Sequence, residues 1–502
     1  MRRSPRLPFT AAASFAAMAA SASGQELLRA HDGFFNSDGS DARFAAALDF
    51  VGDVDGDGVG DYVVGAPRTT SGGEAYVYSG KSGAFLYPLV SDGAGFEFGS
   101  DLGPMGDLDG DGRADFFVLA PLAPQAQYLS SDGRIYLISG ATGTVLRKID
   151  GANRELLHHA VGIGDVDGDH VPDVAAVSLV FGDAHAYSGA TGALLWSLEK
   201  SGLTTFLGAL AALGDVDGDD VPDLAAAAFQ FFGTPYVGVY SGADSTEIRR
   251  HPLAKAGALD LASVPDVDGD GVRELVAGSE NEASNAGVVH VWSGANGNEL
   301  YSLTGALPGD YFGDRVRDAG DVNGDGVHEI AAVSFPSGSR TNVLVQLFRS
   351  DTGALVAGHP SELYVGNDLA GACDLDGDGK SELLLADEYD TDHSTWKGRA
   401  FVYRGDDLWL FANQAWFASG DALALDERPG WPGQPTSIWL LDVNHAPFVL
   451  RLAGGSYDGA GSFTLSATVP PGLAGIDLGL LAFGIDFGGK LRRSAVMHLE
   501  FR

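Results

Sequence analysis

Residues Asp53-Val54-Asp55-Gly56-Asp57-Gly58-Val59-Gly60-Asp61 put carboxylates at positions 1, 3, 5 and 9 of a nine-residue loop, with glycines at 4 and 6. A hard cation such as calcium takes about six to eight oxygens at about 2.3–2.6 Å, and a short loop wraps it only where glycines permit tight turns. The arrangement recurs six more times. The copies carry Asp107, Asp109, Asp111 and Asp115; Asp165, Asp167, Asp169 and Asp173; Asp215, Asp217, Asp219 and Asp223. They continue with Asp266, Asp268, Asp270 and Glu274; Asp321, Asn323, Asp325 and Glu329; and Asp374, Asp376, Asp378 and Glu382. At position 7 stand Val59, Arg113, Val171, Val221, Val272, Val327 and Lys380, where only a main-chain oxygen can serve as a ligand. Position 6 is His170 in the third loop and Asp220 in the fourth, so both lack that glycine. An EF-hand shares positions 1, 3 and 5 but needs a bidentate carboxylate at position 12 and flanking helices. Here position 12 is Val64, Val118, Ala176, Ala226, Ala277, Ala332 or Leu385, all apolar, which excludes that motif.

The elements that must hold these loops repeat with them. From first Asp to first Asp the spacings are 54, 58, 50, 51, 55 and 53 residues, a period that marks a repeat architecture. Before each loop lies a short segment, containing Phe-Gly at Phe98-Gly99 and Phe312-Gly313 and Phe206-Leu207-Gly208 in the fourth repeat. After each loop comes a short non-alternating apolar run, such as Phe116–Leu119, Val174–Val177 or Leu383–Leu385, the pattern of a strand buried on both faces. An alternating second strand follows, as in Ala75–Tyr78, Arg134–Ile138 and Val288–Trp292. Glycine-bearing turns such as Ser139–Gly143 lead into a third strand, as in Thr144–Ile149. Several strands per unit, buried on both faces and repeated seven times, predict a seven-bladed β-propeller over 25–406. The segment Gln25–Gly33 resembles the third-strand segment Val145–Gly151, while the seventh repeat has no such copy after Tyr403. The N-terminal strand is therefore predicted to complete the blade begun near Cys373 and so close the ring.

Beyond 406 the acidic loop does not recur. Apolar runs at Leu408–Phe411, Ser437–Leu441, Phe448–Leu452, Ser462–Ser466, Leu478–Phe483 and Ala495–Phe501, separated by Gly/Pro turns, predict a small antiparallel β-sandwich over 407–502. At the other end, Arg2, Arg3 and Arg6 precede an apolar run from Phe9 to Ala20 and the small residues Ser21-Ala22-Ser23, the pattern of a cleaved secretion signal over 1–24. Location outside the cytoplasm follows as the expectation, and no later run is long enough for a membrane span.

Charge narrows the partners. The formal net charge of -37 excludes a nucleic acid held through its phosphates, because that binding needs basic surface. Positions 1, 3, 5 and 9 of the loops account for 27 of the 68 acids, four in each of seven less one for Asn323, and bound cations would offset much of this. The single cysteine, Cys373, permits no intrachain disulfide and is expected to be a small buried residue.

The repeat resembles the FG-GAP (integrin-α-type) unit: Phe-Gly, then Asp-x-Asp-x-Asp-Gly-x-x-Asp, then an apolar strand ending near Gly-Ala-Pro. Gly65-Ala66-Pro67 keeps that ending and Leu119-Ala120-Pro121 nearly does. The resemblance covers about residues 25–405. It implies a propeller with calcium bound in loops on one rim, here in all seven blades. The Phe-Gly pair is lost in the third and fifth repeats, at Leu157–Ala160 and Leu259–Leu261.

Two functions are open on the sequence. One is a secreted, calcium-stabilised monomer that acts as a binding, adhesion or scaffold module for a protein or a polysaccharide. The other is an extracellular carbohydrate-active enzyme, a hydrolase or lyase using the central depression. There is no Gly-x-Ser-x-Gly elbow, no His-Glu-x-x-His and no phosphate-binding Gly-rich loop, so binding is favoured and no catalytic residue is assigned. His158-His159 reads as a pocket or loop pair rather than a metal site. Arg404-Gly405-Asp406 matches an adhesion tripeptide but reads as a turn. The strand aromatics Tyr78, Trp292 and Tyr403 read as packing residues.

Overall fold

The computed structural model describes residues 27–33, 36, 41–127, 130–152, 154–198, 205–230, 234–255, 259–335, 343–361, 365–387 and 398–404. In the C-terminal part it describes 413–417, 422–427, 435–443, 446–456, 463–468, 477–485, 491–493 and 497–501. The expected signal segment, the run Leu408–Phe411 and the residues Gly405 and Asp406 lie outside these. The chain divides into two compact units, one of them Leu28–Leu410.

The repeat unit consists of seven four-stranded antiparallel sheets. A first strand, β1 (Leu27–Asp32), precedes six sheets formed by consecutive strands. Blade 1 is β2 (Leu48–Gly52), β3 (Asp61–Ala66), β4 (Glu74–Tyr78) and β5 (Phe85–Val90). Blade 2 is β6 (Asp101–Gly106), β7 (Asp115–Ala120), β8 (Arg134–Ile138) and β9 (Val145–Asp150). Blade 3 is β10 (Leu157–Gly164), β11 (Asp173–Ser178), β12 (Ala184–Tyr187) and β13 (Leu194–Leu198). Blade 4 is β14 (Thr205–Gly214), β15 (Asp223–Gln230), β16 (Tyr236–Tyr240) and β17 (Glu247–Pro252). Blade 5 is β18 (Leu259–Val264), β19 (Glu274–Ser279), β20 (Val288–Trp292) and β21 (Glu299–Thr304). Blade 6 is β22 (Val316–Gly320), β23 (Glu329–Ser334), β24 (Val343–Arg349) and β25 (Leu355–Ser361).

Blade 7 is β26 (Val365–Cys373), β27 (Glu382–Asp387) and β28 (Arg399–Tyr403), with β1 as its fourth strand beside β28. The ring therefore closes through the N-terminus, as its sequence likeness to a third-strand segment predicts. Gly33 N–H donates to Gly398 O at 2.9 Å, and Arg399 Nε donates to Asp32 Oδ1 at 2.6 Å. The His31 ring also packs, tilted, against Tyr78 of blade 1, with ring centroids 4.0 Å apart.

The strand after each acidic loop is the second of its blade and is buried along its full length in blades 1, 2, 3, 5, 6 and 7. That is why its sequence is continuously apolar and does not alternate: neighbouring blades cover both of its faces. The structure adds a strand that the sequence pattern hid. The segment before each loop is itself the innermost strand of its blade, and these strands touch in succession from β2 through β6, β10, β14, β18 and β22 to β26 and back to β2. They carry Asp49, Asp101, His159, Asp260, Arg317 and Asp368, whose charges mask a strand pattern. His158 and His159 thus lie on an inner strand and not in a loop.

Close approach explains the glycines of the repeat. A Cβ on Gly65 would lie 2.1 Å from the carbonyl oxygen of Gly99, and one on Gly278 would lie 2.1 Å from that of Gly313. The glycine of Gly-Ala-Pro and that of the following Phe-Gly are two sides of one inter-blade contact. Phe98 and Phe312 are buried beside them and meet Tyr136 and Phe348 edge to face, at centroid distances of 5.0 and 5.6 Å.

A second device joins the blades near the rim. The residue opposite the third-strand position in register in each outer strand is Tyr87, Arg147, Trp196, Arg249, Tyr301 and, in blade 6, Ala357. Five of these donate to a main-chain carbonyl in the turn of the next blade: Tyr87 to Gly140, Arg147 to Gly189 (3.0 Å), Trp196 to Gly242 (2.6 Å), Arg249 to Gly294 (2.5 Å) and Tyr301 to Ser350 (2.7 Å). Arg29 of β1 does the same to Gly80.

The C-terminal unit holds a sheet in the order β29 (Asn413–Phe417), β36 (Met497–Phe501), β34 (Asp477–Ile485), β31 (Pro435–Val443) and β32 (Ala446–Ser456), with β35 (Leu491–Arg493) paired to β34. A second sheet pairs β30 (Ala422–Glu427) with β33 (Phe463–Thr468). The sequence reading of an antiparallel arrangement needs correction at one place: β29 and β36 run parallel.

Candidate metal centres

Each acidic loop connects the first and second strands of a blade, with a strand on both sides and no flanking helix. The loops keep one internal geometry. In blade 1 the position-1 carboxylate of Asp53 accepts from the amides of Asp57 (3.1 Å) and Gly58 (3.0 Å), Asp55 accepts from Asp57 N–H (3.0 Å), and Asp57 accepts from Val59 N–H (3.0 Å). The same set recurs in blade 5 from Asp266, Asp268 and Asp270 to the amides of Asp270, Gly271 and Val272. Each bond leaves lone pairs on these carboxylates, which is what a loop ligand set requires.

Loops 3 and 4 keep this geometry without the position-6 glycine. His170 and Asp220 take the left-handed conformation, at φ 71° and 66°, where Gly58 has 86°. Their amides donate to Asp165 Oδ2 at 2.8 Å and Asp215 Oδ2 at 2.9 Å. Histidine and aspartate are among the non-glycine residues that enter this region most readily.

Position 9 has a different task. Asp61, Asp115, Asp173, Asp223, Glu274, Glu329 and Glu382 are all fully buried at 0 % exposure. One oxygen of each accepts from the amide at position 2: Val54 to Asp61 (2.9 Å), Leu108 to Asp115 (2.7 Å), Val166 to Asp173 (2.8 Å) and Val216 to Asp223 (2.8 Å). Val267, Val322 and Leu375 serve Glu274, Glu329 and Glu382 likewise. In blades 1–5 the other oxygen accepts from the turn after the third strand, through the amides of Gly80, Gly140, Gly189, Gly242 and Gly294. One carboxylate therefore ties two loops on the same face together.

The loops bring their acids close enough to share an ion. Ligand oxygens lie within 4.8 Å of one another for Asp53, Asp55 and Asp57; Asp107, Asp109 and Asp115; Asp165, Asp167 and Asp173; and Asp215, Asp217 and Asp223. The same holds for Asp266, Asp268, Asp270 and Glu274. Burial pushes the position-9 acids up, to about 6 for Asp61, Asp173 and Asp223 and to about 8 for Glu329 and Glu382. The amides of Gly271 and Gly269 hold Asp266 below the usual carboxylate range. Several acids crowded at one point, one of them buried and hard to ionise alone, fit a divalent cation, which would offset both the repulsion and the desolvation.

A 147-residue stretch is 34 % identical to integrin alpha-7 of Rattus norvegicus, and 33 % identical to that of Mus musculus. A 155-residue stretch is 28 % identical to integrin alpha-V of Gallus gallus. Over these stretches the seven-bladed β-propeller is similar in sequence to integrin α chains. The matched stretches cover 26 % and 28 % of this chain, and 12 % and 15 % of the relatives' own length. No family model matches the chain. Among solved structures, the propeller domain of Myceliophteria thermophila Cps50 (Swd1) aligns with a TM-score of 0.46 at 10 % identity, over 75 % of this chain and 99 % of that one.

Other residues singled out in the sequence have structural places. Cys373 is half-buried, not buried, and its Sγ would lie 2.5 Å from a Cβ on Gly60. Trp292 is buried and stacked between His290 and His251, at centroid distances of 5.1 and 4.6 Å. His159 Nδ1 meets Asp101 Oδ2 at 3.0 Å on the inner strands. Among the described residues no helix is long and apolar enough to cross a membrane.

Proposed function

We propose that this protein is a secreted, calcium-clasped propeller that binds a protein or polysaccharide partner as a monomer. A signal over 1–24, the propeller over 25–406 and a C-terminal β-sandwich over 407–502 complete the proposed layout. The observation that supports the metal reading most is the convergence of loop oxygens to within 4.8 Å in blades 1–5. Position 7 would add the main-chain oxygens of Val59, Arg113, Val171, Val221, Val272, Val327 and Lys380. The position-9 acid already ties its loop to the next turn of the blade, so cation binding there would become folding free energy.

The partner surface is proposed on the opposite face. The metal-side loops are uniform from blade to blade, whereas the connections between second and third strands run 67–73 in blade 1, 121–133 in blade 2 and 179–183 in blade 3. Variation in length on a rigid ring is where recognition is built. Leu179 and Phe181 stand exposed there, at 41 % and 45 %.

The test is a screen of the secreted chain against arrays of polysaccharides and extracellular proteins, with calcium and with chelator. Retention that depends on calcium and is lost on shortening 121–133 supports the reading. Turnover of a polysaccharide, abolished by changing one acid outside the loops, overturns it in favour of an enzyme.

A further inference from the structure

Strand register exposes a difference between blades that no local motif shows. The residue after the third-strand position opposite the tenth loop residue is Ser79, Ser139, Ser188, Ser241 and Ser293 in blades 1–5. In blades 6 and 7 it is Arg349 and Arg404. In blade 5 the serine reaches the acidic loop with a neutral bond, from Ser293 Oγ to Asp270 Oδ2 at 2.9 Å. Arg349 makes the corresponding contact in blade 6 with a charge: its Nη1 pairs with Oδ2 of Asp325, the same loop position. In blade 7 Arg404 Nη2 pairs with Asp376 Oδ2 at loop position 3.

Arg349 is held for this contact. Its Nε and Nη2 donate to the two oxygens of Asp351 at 2.9 and 2.7 Å, which leaves Nη1 aimed at the loop. A bidentate guanidinium–carboxylate pair fixes orientation as well as charge. The acid count of the loops moves in the same direction. Loop 5 has four acids, Asp266, Asp268, Asp270 and Glu274, and the arginine within it, Arg273, turns its guanidinium to Ser263 and Asp318. Loop 6 has three, because Asn323 replaces an acid, and Arg349 offsets one of those. Loop 7 has four, with Arg404 beside it, while Lys380, although part of loop 7 in sequence, lays its side chain against Gly324 of loop 6. Loop 1 also meets a guanidinium, that of Arg113 in the next blade, but at 3.9 Å from Asp53 Oδ1.

We propose that Arg349 and Arg404 are built-in counter-ions that partly replace the metal in blades 6 and 7, so that five loops hold calcium tightly and two hold it weakly. This rests on the calcium reading given above. Calcium affinity in such loops follows the net charge of the ligand set, and a fixed cation beside a carboxylate both lowers that charge and repels the ion. Blade 7 is also the blade that β1 completes, where the N-terminal strand is joined to the end of the ring. A pair of ion-independent contacts would keep that sector assembled when calcium is scarce.

The experiment is calcium titration of the full secreted chain by calorimetry and equilibrium dialysis with metal analysis. The expected result is five ions bound with affinities at least roughly tenfold above those of the remaining two. Arg349→Gln and Arg404→Gln, which keep polarity and remove charge, each convert one weak site to a tight one; Arg349→Lys does not. Circular dichroism identifies variants that fail to fold, for which Arg349→Ser and Arg404→Ser restore the residue of the other blades. Seven sites of equal affinity, or glutamine variants with unchanged titrations, overturn the counter-ion role and leave the calcium reading intact. A chain that binds no calcium overturns both.

Discussion

Replacing Asp223 by alanine separates the two tasks of a loop carboxylate. Asp223 accepts from the amides of Val216 at 2.8 Å and Gly242 at 2.9 Å, on different oxygens, in a fully buried place. Alanine leaves both donors without an acceptor, at about 1–3 kcal/mol each, so a loss of about 4 kcal/mol is expected even with no calcium present. At about 2.1 cal/mol/K per residue, a ring the size of Leu28–Leu410 has an unfolding entropy of about 0.8 kcal/mol/K, and the melting temperature falls by about 5 °C. Asp217, at position 3 of the same loop, is exposed. Asp217→Ala should change stability in chelator by no more than about 0.5 kcal/mol and act only when calcium is present. The assay is differential scanning fluorimetry of both variants in chelator and in calcium. If Asp223→Ala melts with the wild type in chelator, the view that position 9 ties the loops together without help is wrong.

Two further outcomes follow from the ring. Trp196→Phe removes the donor to Gly242 O between blades 3 and 4 while keeping an aromatic ring, and should cost about 1 kcal/mol in urea unfolding, with binding of calcium unchanged. Burial, and then the neighbouring Asp368, push the inner-strand Asp49 up to about 7, against the pull of Arg317. Its folded value lies above its unfolded one, so its contribution to stability is full below the unfolded value near 4 and is lost as pH rises through about 7. Asp49→Asn should therefore flatten the melting temperature between pH 5 and 8 at fixed calcium, on the order of that whole titration window, and raise it at pH 8. An unchanged profile would remove Asp49 as its source.

Much of the ring was legible because its signals are local and repeated. The seven acidic loops, the doubly buried strand that follows each, and the third-strand pattern of Gln25–Gly33 are each carried by a short run of consecutive residues. The innermost strands were not legible as strands, since Asp101, His159, Asp260, Arg317 and Asp368 break the apolar pattern and find their partners on the inner strand of a neighbouring blade. Asp101 accepts from Ala160 N–H at 2.8 Å, and Asp260 from Val316 N–H at 3.0 Å. Both partners lie more than fifty residues away, at separations of 59 and 56. The rim donors were hidden for the same reason: Tyr87, Arg147 and Trp196 share no residue type, only a register. Aligning third strands by their loops would have found Arg349 and Arg404, which stand in the serine column. At positions 170 and 220 the missing glycine suggested a changed turn, but the loop's hydrogen bonds hold histidine and aspartate in the same conformation.

The central claim, that divalent cations clasp the loops and so lock the ring, meets its most direct test in thermal unfolding of the chain across a calcium series and in chelator. Each site adds about RT ln(1 + [L]/Kd) to the folded state, about 2.7 kcal/mol at a hundredfold excess over Kd. Several sites acting together should raise the melting temperature by more than about 10 °C, climbing steadily with the logarithm of calcium concentration. A transition at the same temperature in calcium and in chelator would contradict the account.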